Sequence, residues 1–307
     1  MKFSVVIPVF DSENTIGQLI DDLVYFFKKE KLNFEIVLVN DGSQDSSWEI
    51  IKKKTVKYPK KICAINLLNN HGQHIANYCG FENSTGDYII TMDDDMQNPV
   101  SEIKKLIFKS KEDCELIIGE YYKKNHSIMR NFGSKLVRYI NSKIFNIPKN
   151  LYLSNFRLIK KSLIKRILEI NINYPYIPGL LVQYSAKSTN VKVKHDKRKI
   201  GSSKYNSKKI TKLIFEILFN YSIFPLRVIT IIGFSISLLS LGLSFFYLLN
   251  AFINGTSVEG WTTLVVIISF LGAWILMTLF LLGEYIIRIQ RNSINNKIYF
   301  AKEIIKD

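Results

Sequence analysis

The chain has 307 residues, 47% of them hydrophobic and 22% charged, with a formal net charge of +16, which leaves room for one substantial globular domain and something besides. So basic a balance points to an anionic partner: nucleic acid, an acidic membrane face or a phosphorylated ligand. Cys63, Cys79 and Cys114 have neither pairing nor zinc-site spacing, which excludes a disulfide framework and fits a reduced, cytosolic domain.

The opening Met1-Lys-Phe-Ser-Val-Val-Ile-Pro8 is too short in its apolar run for a signal peptide and reads as a first strand over residues 3–9. An amphipathic helix follows over 15–29, then a strand over 34–39, a turn at Asp41-Gly42-Ser43 and a helix over 47–58. Residues 62–67 read as a strand, 74–83 as a helix and 88–92 as a strand. Strands alternating with helices of this length predict an α/β fold, a mostly parallel sheet covered by helices on both faces. Ligands of such sheets bind beyond the carboxyl ends of the strands. Pro8-Val-Phe10, Asn40-Asp41 and Asp93-Asp-Asp95 all fall at those ends, so three strands direct polar or turn-forming groups to one rim.

The segment Tyr88-Ile-Ile-Thr-Met-Asp-Asp-Asp-Met-Gln-Asn-Pro99 delivers three consecutive carboxylates to the end of an apolar, β-branched run, and Pro99 suits the first turn of a helix over 100–110. Carboxylates at the edge of a core are costly without a cationic partner. Hard oxygen donors in that position suit Mg2+ or Mn2+ bridging protein carboxylates to substrate phosphates. Alone, an Asp-x-Asp is more often a solvated acidic turn; its context on the rim favours the metal.

Beyond it, a short strand is predicted over 116–118, a basic helix over 129–145, a strand over 152–159 and a Lys-rich helix to 170. An alternating strand from 191 runs into a basic loop to 199, followed by Gly201-Ser-Ser-Lys-Tyr205. Residues 207–222 alternate Lys with Ile, Leu and Phe at helical spacing, as an interfacial amphipathic helix would. Residues 228–253 are almost uninterruptedly apolar and 261–287 repeat the pattern with only Glu284 charged, each stretch longer than the roughly 20 residues that cross a bilayer core. Their connector, Asn254-Gly-Thr-Ser-Val-Glu-Gly260, has no Lys or Arg, whereas Arg227, Arg288 and Arg291 flank the outer ends. That asymmetry predicts a membrane hairpin with both flanks in the cytosol. Glu284 then needs a partner, and Arg288 lies one turn on. The predicted organisation is 1–206 catalytic domain, 207–222 interfacial helix, 223–290 two spans, and 291–307 a cytosolic tail. Apolar helix faces of the hairpin also offer a route to homo-oligomers.

Val5-Val-Ile-Pro-Val-Phe10, Val39-Asn-Asp-Gly-Ser43, Asn70-His-Gly-Gln-His74, the Gly86–Pro99 segment and Gly201-Ser-Ser-Lys-Tyr205, followed by Phe224-Pro-Leu-Arg227 and two spans, together resemble the inverting glycosyltransferases of family 2 with a GT-A fold. The likeness covers nearly the whole chain and is closest to the polyprenyl-phosphate branch. It implies a nucleotide-sugar donor, UDP-linked, a polyprenyl phosphate acceptor such as undecaprenyl phosphate, and a place at the bacterial inner membrane. By that resemblance Pro8, Phe10, Asp41 and Asp94 bind the nucleotide, and Asp93, Asp95 and Gln97 hold Mg2+ or Mn2+. Arg130, Ser134, Arg198 and Lys204 receive the acceptor phosphate, with Asp95, Arg130 and Arg198 catalytic. An ionised phosphate is already a nucleophile, so orientation and relief of anion repulsion matter more than a strong base. His71 and His74 lack metal-ligand spacing and read as structural or nucleotide-side hydrogen-bonding groups.

Three positions depart from the family. Asn40 replaces a frequent Asp, Glu120-Tyr121 stands where an Arg is often found, and Asn155 occupies a place that is commonly Asp in bacterial relatives. A processive polysaccharide synthase would bring more spans and a Gln-x-x-Arg-Trp segment, which Trp48, Trp261 and Trp274 do not supply. A nucleic-acid-binding module would explain the charge but neither the triple Asp nor the spans. A catalytically silent membrane-anchored scaffold is the remaining rival, with Asn155 its best argument.

Overall fold

The computed structural model describes residues 1–121, 139–148, 150–170, 174–196, 260–293 and 298–306, with scattered positions between 214 and 253. Two compact units emerge, one formed by Met1–Ser207 with Asn295–Asp307 and the other by Lys208–Ile294.

The first unit is an eight-stranded sheet of order β7-β5-β6-β4-β1-β2-β3-β8. Its first half alternates β1 (Lys2–Val9), α1 (Ile16–Lys29), β2 (Asn33–Asn40), α2 (Ser47–Lys57), β3 (Ile62–Leu67), α3 (Gln73–Glu82) and β4 (Tyr88–Thr91). β1 pairs in parallel with both β2 and β4, and β2 with β3. The strand order therefore reverses at β1, which is where open α/β sheets hold their ligands. Strands buried on both faces need continuous apolar runs. β1 shows one, with Val5, Val6, Ile7 and Val9 all without exposure. On one face α1 presents Ile16, Leu19, Ile20, Leu23, Val24 and Phe27 at helical spacing, and Phe27 stacks on Phe34 with ring centroids 4.9 Å apart.

The second half holds α4 (Ile103–Lys109), entered through a 3-10 turn at Val100–Glu102, then β5 (Leu116–Tyr121), β6 (Arg157–Lys160), α5 (Lys161–Leu168), α6 (Ile177–Tyr184) and β7 (Ser188–Val193). β6 runs antiparallel to β4 and β5, and β7 parallel to β5. The alternation over 152–159 predicts a longer β6 than the one formed. Ahead of Arg157 the backbone is held by side chains instead: Tyr152 N–H donates to Asn190 Oδ1 at 2.9 Å, and Ser154 Oγ to the Gly119 carbonyl at 2.7 Å. Residues 139–144 are helical and the helix stops before Phe145; residues 129–138 of the predicted helix lie outside the described residues. All three cysteines are buried and form no disulfide.

The predicted tail contains a strand. β8 (Ala301–Ile305) pairs antiparallel with β3 and closes that edge of the sheet. Trp48 Nε1 donates to Glu303 Oε2 at 3.1 Å, and Tyr299 Oη to Glu82.

In the second unit α7 (Trp261–Ser293) has 33 residues, about 50 Å of helix. Its stretch Phe270–Ile289 is long and apolar enough to cross a membrane and is largely exposed. Glu284 meets Arg288 at 3.8 Å, one turn on, and the Arg288 guanidinium lies 5.1 Å from the Phe219 ring centroid. Gly233 faces Trp274 so closely that a Cβ there would stand 2.6 Å from Nε1. Most of the predicted 207–222 helix, much of the first span and nearly all of its connector lie outside the described residues.

Candidate active site

The rim at the carboxyl ends of β1, β2 and β4 gathers the polar groups. Pro8 is buried within β1, paired with Val39, and Phe10 follows the strand with 38% of its surface exposed. Asp94 turns toward this segment, where Oδ2 accepts Phe10 N–H at 3.0 Å and also Ser12 Oγ–H. Burial pushes the Asp94 carboxyl up to about 6, against the pull of those two donors.

Asp41 ends β2, nearly without exposure. Its two oxygens accept the backbone N–H groups of His71 and Gly72, each at 2.8 Å. Burial raises its carboxyl and these two bonds partly offset the rise. The carboxylate therefore shapes the loop that opens α3, and each oxygen keeps a further lone pair toward the rim. Gly42 is required beside it: φ is +68°, and a Cβ would lie 2.8 Å from Asn70 N.

Asp93 and Asp95 take partners other than those of Asp94. Asp93 Oδ1 accepts Gln73 Nε2–H at 2.6 Å and Asn155 Nδ2–H at 2.7 Å. Burial pushes its carboxyl up, reinforced by Asp95. Met96 takes φ of +58°, uncommon for a non-glycine residue, and the bend lets Gln97 N–H return to Asp95 Oδ1 at 3.1 Å. Gln97 Nε2 is committed to the Asp196 carbonyl at 3.1 Å, which turns its carboxamide oxygen the other way. Two carboxylates and an amide oxygen within five residues are the hard donors that Mg2+ or Mn2+ takes, so the residues fit the implied cation. Among the described residues no set of three or more His, Cys, Asp or Glu side chains gathers in ligand geometry.

Beneath the rim lies a buried polar cluster that sequence reasoning missed. Arg157, 2% exposed, bonds Asn155 Oδ1. His74 packs edge-on against Tyr176 at 5.3 Å, and Tyr176 Oη accepts Asn141 Nδ2–H at 3.0 Å. Burial, then the charge of Arg157, holds the His74 imidazole down at about 4, so it is neutral at physiological pH. Tyr121 stacks on His195 at 4.0 Å, and Asp196 N–H donates to the Gln97 carbonyl at 2.8 Å, which ties the end of the β7 segment to the rim. His71 belongs to the Asp41 loop through its backbone N–H. Arg130, Ser134, Arg198 and Lys204 lie outside the described residues.

The family described as Glycosyl transferase family 2 matches residues 4–168. Over 98% of its length the chain is 30% identical to the undecaprenyl-phosphate 4-deoxy-4-formamido-L-arabinose transferase of Shewanella sediminis, of which it covers 92%. It is 29% identical to the protein of the same name from Photorhabdus laumondii, over 100% of this chain and 95% of that one. Among solved structures it resembles mannosyl-3-phosphoglycerate synthase from Rubrobacter xylanophilus (TM-score 0.51, 11% identity, 71% of this chain and 72% of that one). It also resembles glucosyl-3-phosphoglycerate synthase from Mycobacterium tuberculosis in complex with uridine diphosphate (TM-score 0.50, 14% identity, 71% and 78%). At such identities the likeness is one of fold.

Proposed function

The chain belongs to glycosyl transferase family 2, and we propose that this glycosyltransferase moves a single sugar, with inversion, from a UDP-linked donor to undecaprenyl phosphate. The reaction takes place at the cytosolic face of the bacterial inner membrane and yields a lipid-linked sugar for cell-surface glycan modification. The observation that carries the reading is the convergence of Phe10, Asp41 and Asp93–Asp95 on one rim at the point where strand order reverses. Full-length similarity to relatives named for transfer to undecaprenyl phosphate supports the acceptor.

In the proposed reaction a phosphate oxygen of the lipid attacks the anomeric carbon as the bond from that carbon to the nucleoside diphosphate breaks. The lipid phosphate is already ionised, so no proton has to be removed. Phe10 and Asp41 bind and orient the nucleotide, and Asp93, Asp95 and Gln97 would hold the cation. When bound, Mg2+ or Mn2+ supplies the positive charge that offsets charge gathering on the leaving diphosphate. Arg130, Ser134, Arg198 and Lys204 receive the acceptor phosphate. Asp196, whose carbonyl accepts from Gln97 Nε2, stands two positions before Arg198 in the sequence.

The membrane hairpin is supported by chain connectivity. β8 belongs to the same sheet as β1–β7, so the intervening Lys208–Ile294 unit leaves and re-enters one body. An odd number of crossings would separate strands that pair. The Gly233–Trp274 approach is what two adjacent spans would make.

The direct test is incubation of purified protein with undecaprenyl phosphate and a panel of nucleotide sugars, with the lipid product identified by mass. A lipid bearing one sugar is expected. No product with any donor, together with no UDP binding, would leave the silent scaffold as the better account.

A further inference from the structure

Arg157 is the largest side chain in the fold with almost no exposure. It sits on β6 between Thr91 of β4 and Ile118 of β5. A guanidinium carries donors only and keeps its charge, and burying a charge without compensation costs several kcal/mol. Among the described residues no carboxylate makes ion-pair contact with it. Its hydrogen bond runs to Asn155 Oδ1, and Asn155 Nδ2 in turn donates to Asp93 Oδ1 at 2.7 Å.

That sequence of bonds determines which way the amide faces. Arg157 can only donate, so the Asn155 oxygen must face it, and the nitrogen is left for Asp93. A carboxamide thereby bridges cation and anion with its dipole aligned to both. Aspartate at 155 would satisfy Arg157 but set a like charge against Asp93. The backbone is pinned as well, because Thr91 Oγ1 donates to the Asn155 carbonyl at 2.6 Å. Gln73, at the start of α3, brings a second amide N–H to the same Asp93 oxygen at 2.6 Å. Both donors grip Oδ1, so the carboxylate's rotation is set with Oδ2 directed elsewhere.

We propose that Asn155, backed by Arg157, is a positioning residue of the donor site: it grips Asp93 by Oδ1 so that Oδ2 is held for a divalent cation on the donor diphosphate. Asparagine is then the residue this arrangement requires, and its presence is no mark of a silent enzyme. The inference rests on the cation role proposed above for Asp93.

The test measures Mn2+ affinity in the presence of UDP on the full-length protein in detergent, from the electron paramagnetic resonance signal of free Mn2+. The variants are Asn155→Leu, Asp93→Asn and the double substitution, with UDP binding in EDTA as the control for an intact pocket. Removing a group that orients a metal ligand typically costs ten- to a hundredfold in affinity. Asn155→Leu is expected to weaken Mn2+ at least tenfold, to leave metal-free UDP binding unchanged, and to add less than twofold once Asp93 is already Asn. If Asn155→Leu binds Mn2+ normally while Asp93→Asn has lost it, the cation reading stands and the positioning role is refuted. Equal losses in both backgrounds also refute it, since the effect then does not pass through Asp93. Normal Mn2+ binding by Asp93→Asn removes the cation reading and this inference together. Should Asn155→Leu fail to fold, Gln73→Ala, at an exposed position, decides the matter: a several-fold loss of Mn2+ affinity supports the grip on Oδ1, and unchanged affinity overturns it.

Discussion

Gly179, in α6, sets two effects of opposite sign against each other. Alanine is the better helix former by about 0.8–1 kcal/mol, so Gly179→Ala stabilises the fold if nothing obstructs the new methyl. Here the methyl would stand 2.7 Å from both Cε1 and Cζ of Phe145. Carbon atoms prefer about 3.5–4.0 Å, so the ring must retreat by roughly 0.8 Å. It has little room, being 1% exposed and packed on Tyr176 at 5.4 Å, and Tyr176 is bonded in turn to Asn141. Overpacking of this kind costs about 1–3 kcal/mol, which outweighs the propensity gain except at its lower limit. The expected net loss is about 0–2 kcal/mol, a fall in Tm of up to roughly 8 °C for a unit of this size, measured by thermal unfolding in detergent. Phe145→Leu in the same chain should recover part of the loss, giving a double variant more stable than the sum of the single effects predicts. Phe145 also ends the segment that follows Arg130 and Ser134, so acceptor use should fall more than UDP binding. A Tm above that of the parent would show that the ring yields freely and would overturn the argument.

For the cation, EDTA should abolish transfer and Mg2+ or Mn2+ restore it, with Asp95→Ala losing at least about a hundredfold in rate; full activity in EDTA would remove the metal role. Arg130→Ala or Arg198→Ala should weaken apparent affinity for the lipid phosphate about ten- to a hundredfold, the loss of one charge-assisted contact, while calorimetry shows UDP binding nearly intact. Loss of UDP binding with normal acceptor response would place these arginines on the donor side. In intact cells Ser257→Cys should react with an impermeant thiol reagent and Ser293→Cys should not, against a low background from three buried native cysteines; the reverse pattern inverts the topology. Burial raises the Glu35 carboxyl, but bonds from Lys2, Ser4 and Thr85 outweigh it and hold the group at about 2 against an ordinary 4.5. Its contribution, up to about 3 kcal/mol, is thus complete above pH 4.5 and lost as pH falls toward 2, and Glu35→Gln should flatten that acid limb of the stability curve.

The central sheet was legible because its determinants are local. Runs such as Val5-Val-Ile and Ile36-Val-Leu-Val are buried on both faces, and in a parallel sheet that condition forces continuous apolar sequence with turn residues directly after it. The rim could be read for the same reason, since residues that end strands of one sheet in the same direction must meet. What each rim residue does there was less legible. Asp41 reads as a nucleotide ligand, yet both its oxygens also hold the loop at 71–72. That double duty depends on a backbone path between β3 and α3 that composition does not encode. Gln73 escaped notice because nothing in a helix's first residue announces a bond to a carboxylate twenty positions later.

Arg157 and β8 were illegible for a different reason: their meaning comes from partners distant in sequence. Among 42 Lys and Arg residues the default for any one is a solvated charge, and only burial between β4 and β5 sets Arg157 apart. Asn155 then changes its meaning, from a missing acid to a side chain that accepts from a buried cation while donating to a carboxylate. The strand Ala301–Ile305 is too short and too exposed to declare itself, and its contact from Glu303 to Trp48 spans 255 positions. Yet it constrains what lies between more tightly than hydropathy does. Apolar length and flanking arginines argue for two crossings by composition, whereas a strand that returns to the sheet it left requires an even number whatever the composition. The two arguments share no premise, so a labelling result that shows a single crossing would have to break the β3–β8 pairing as well.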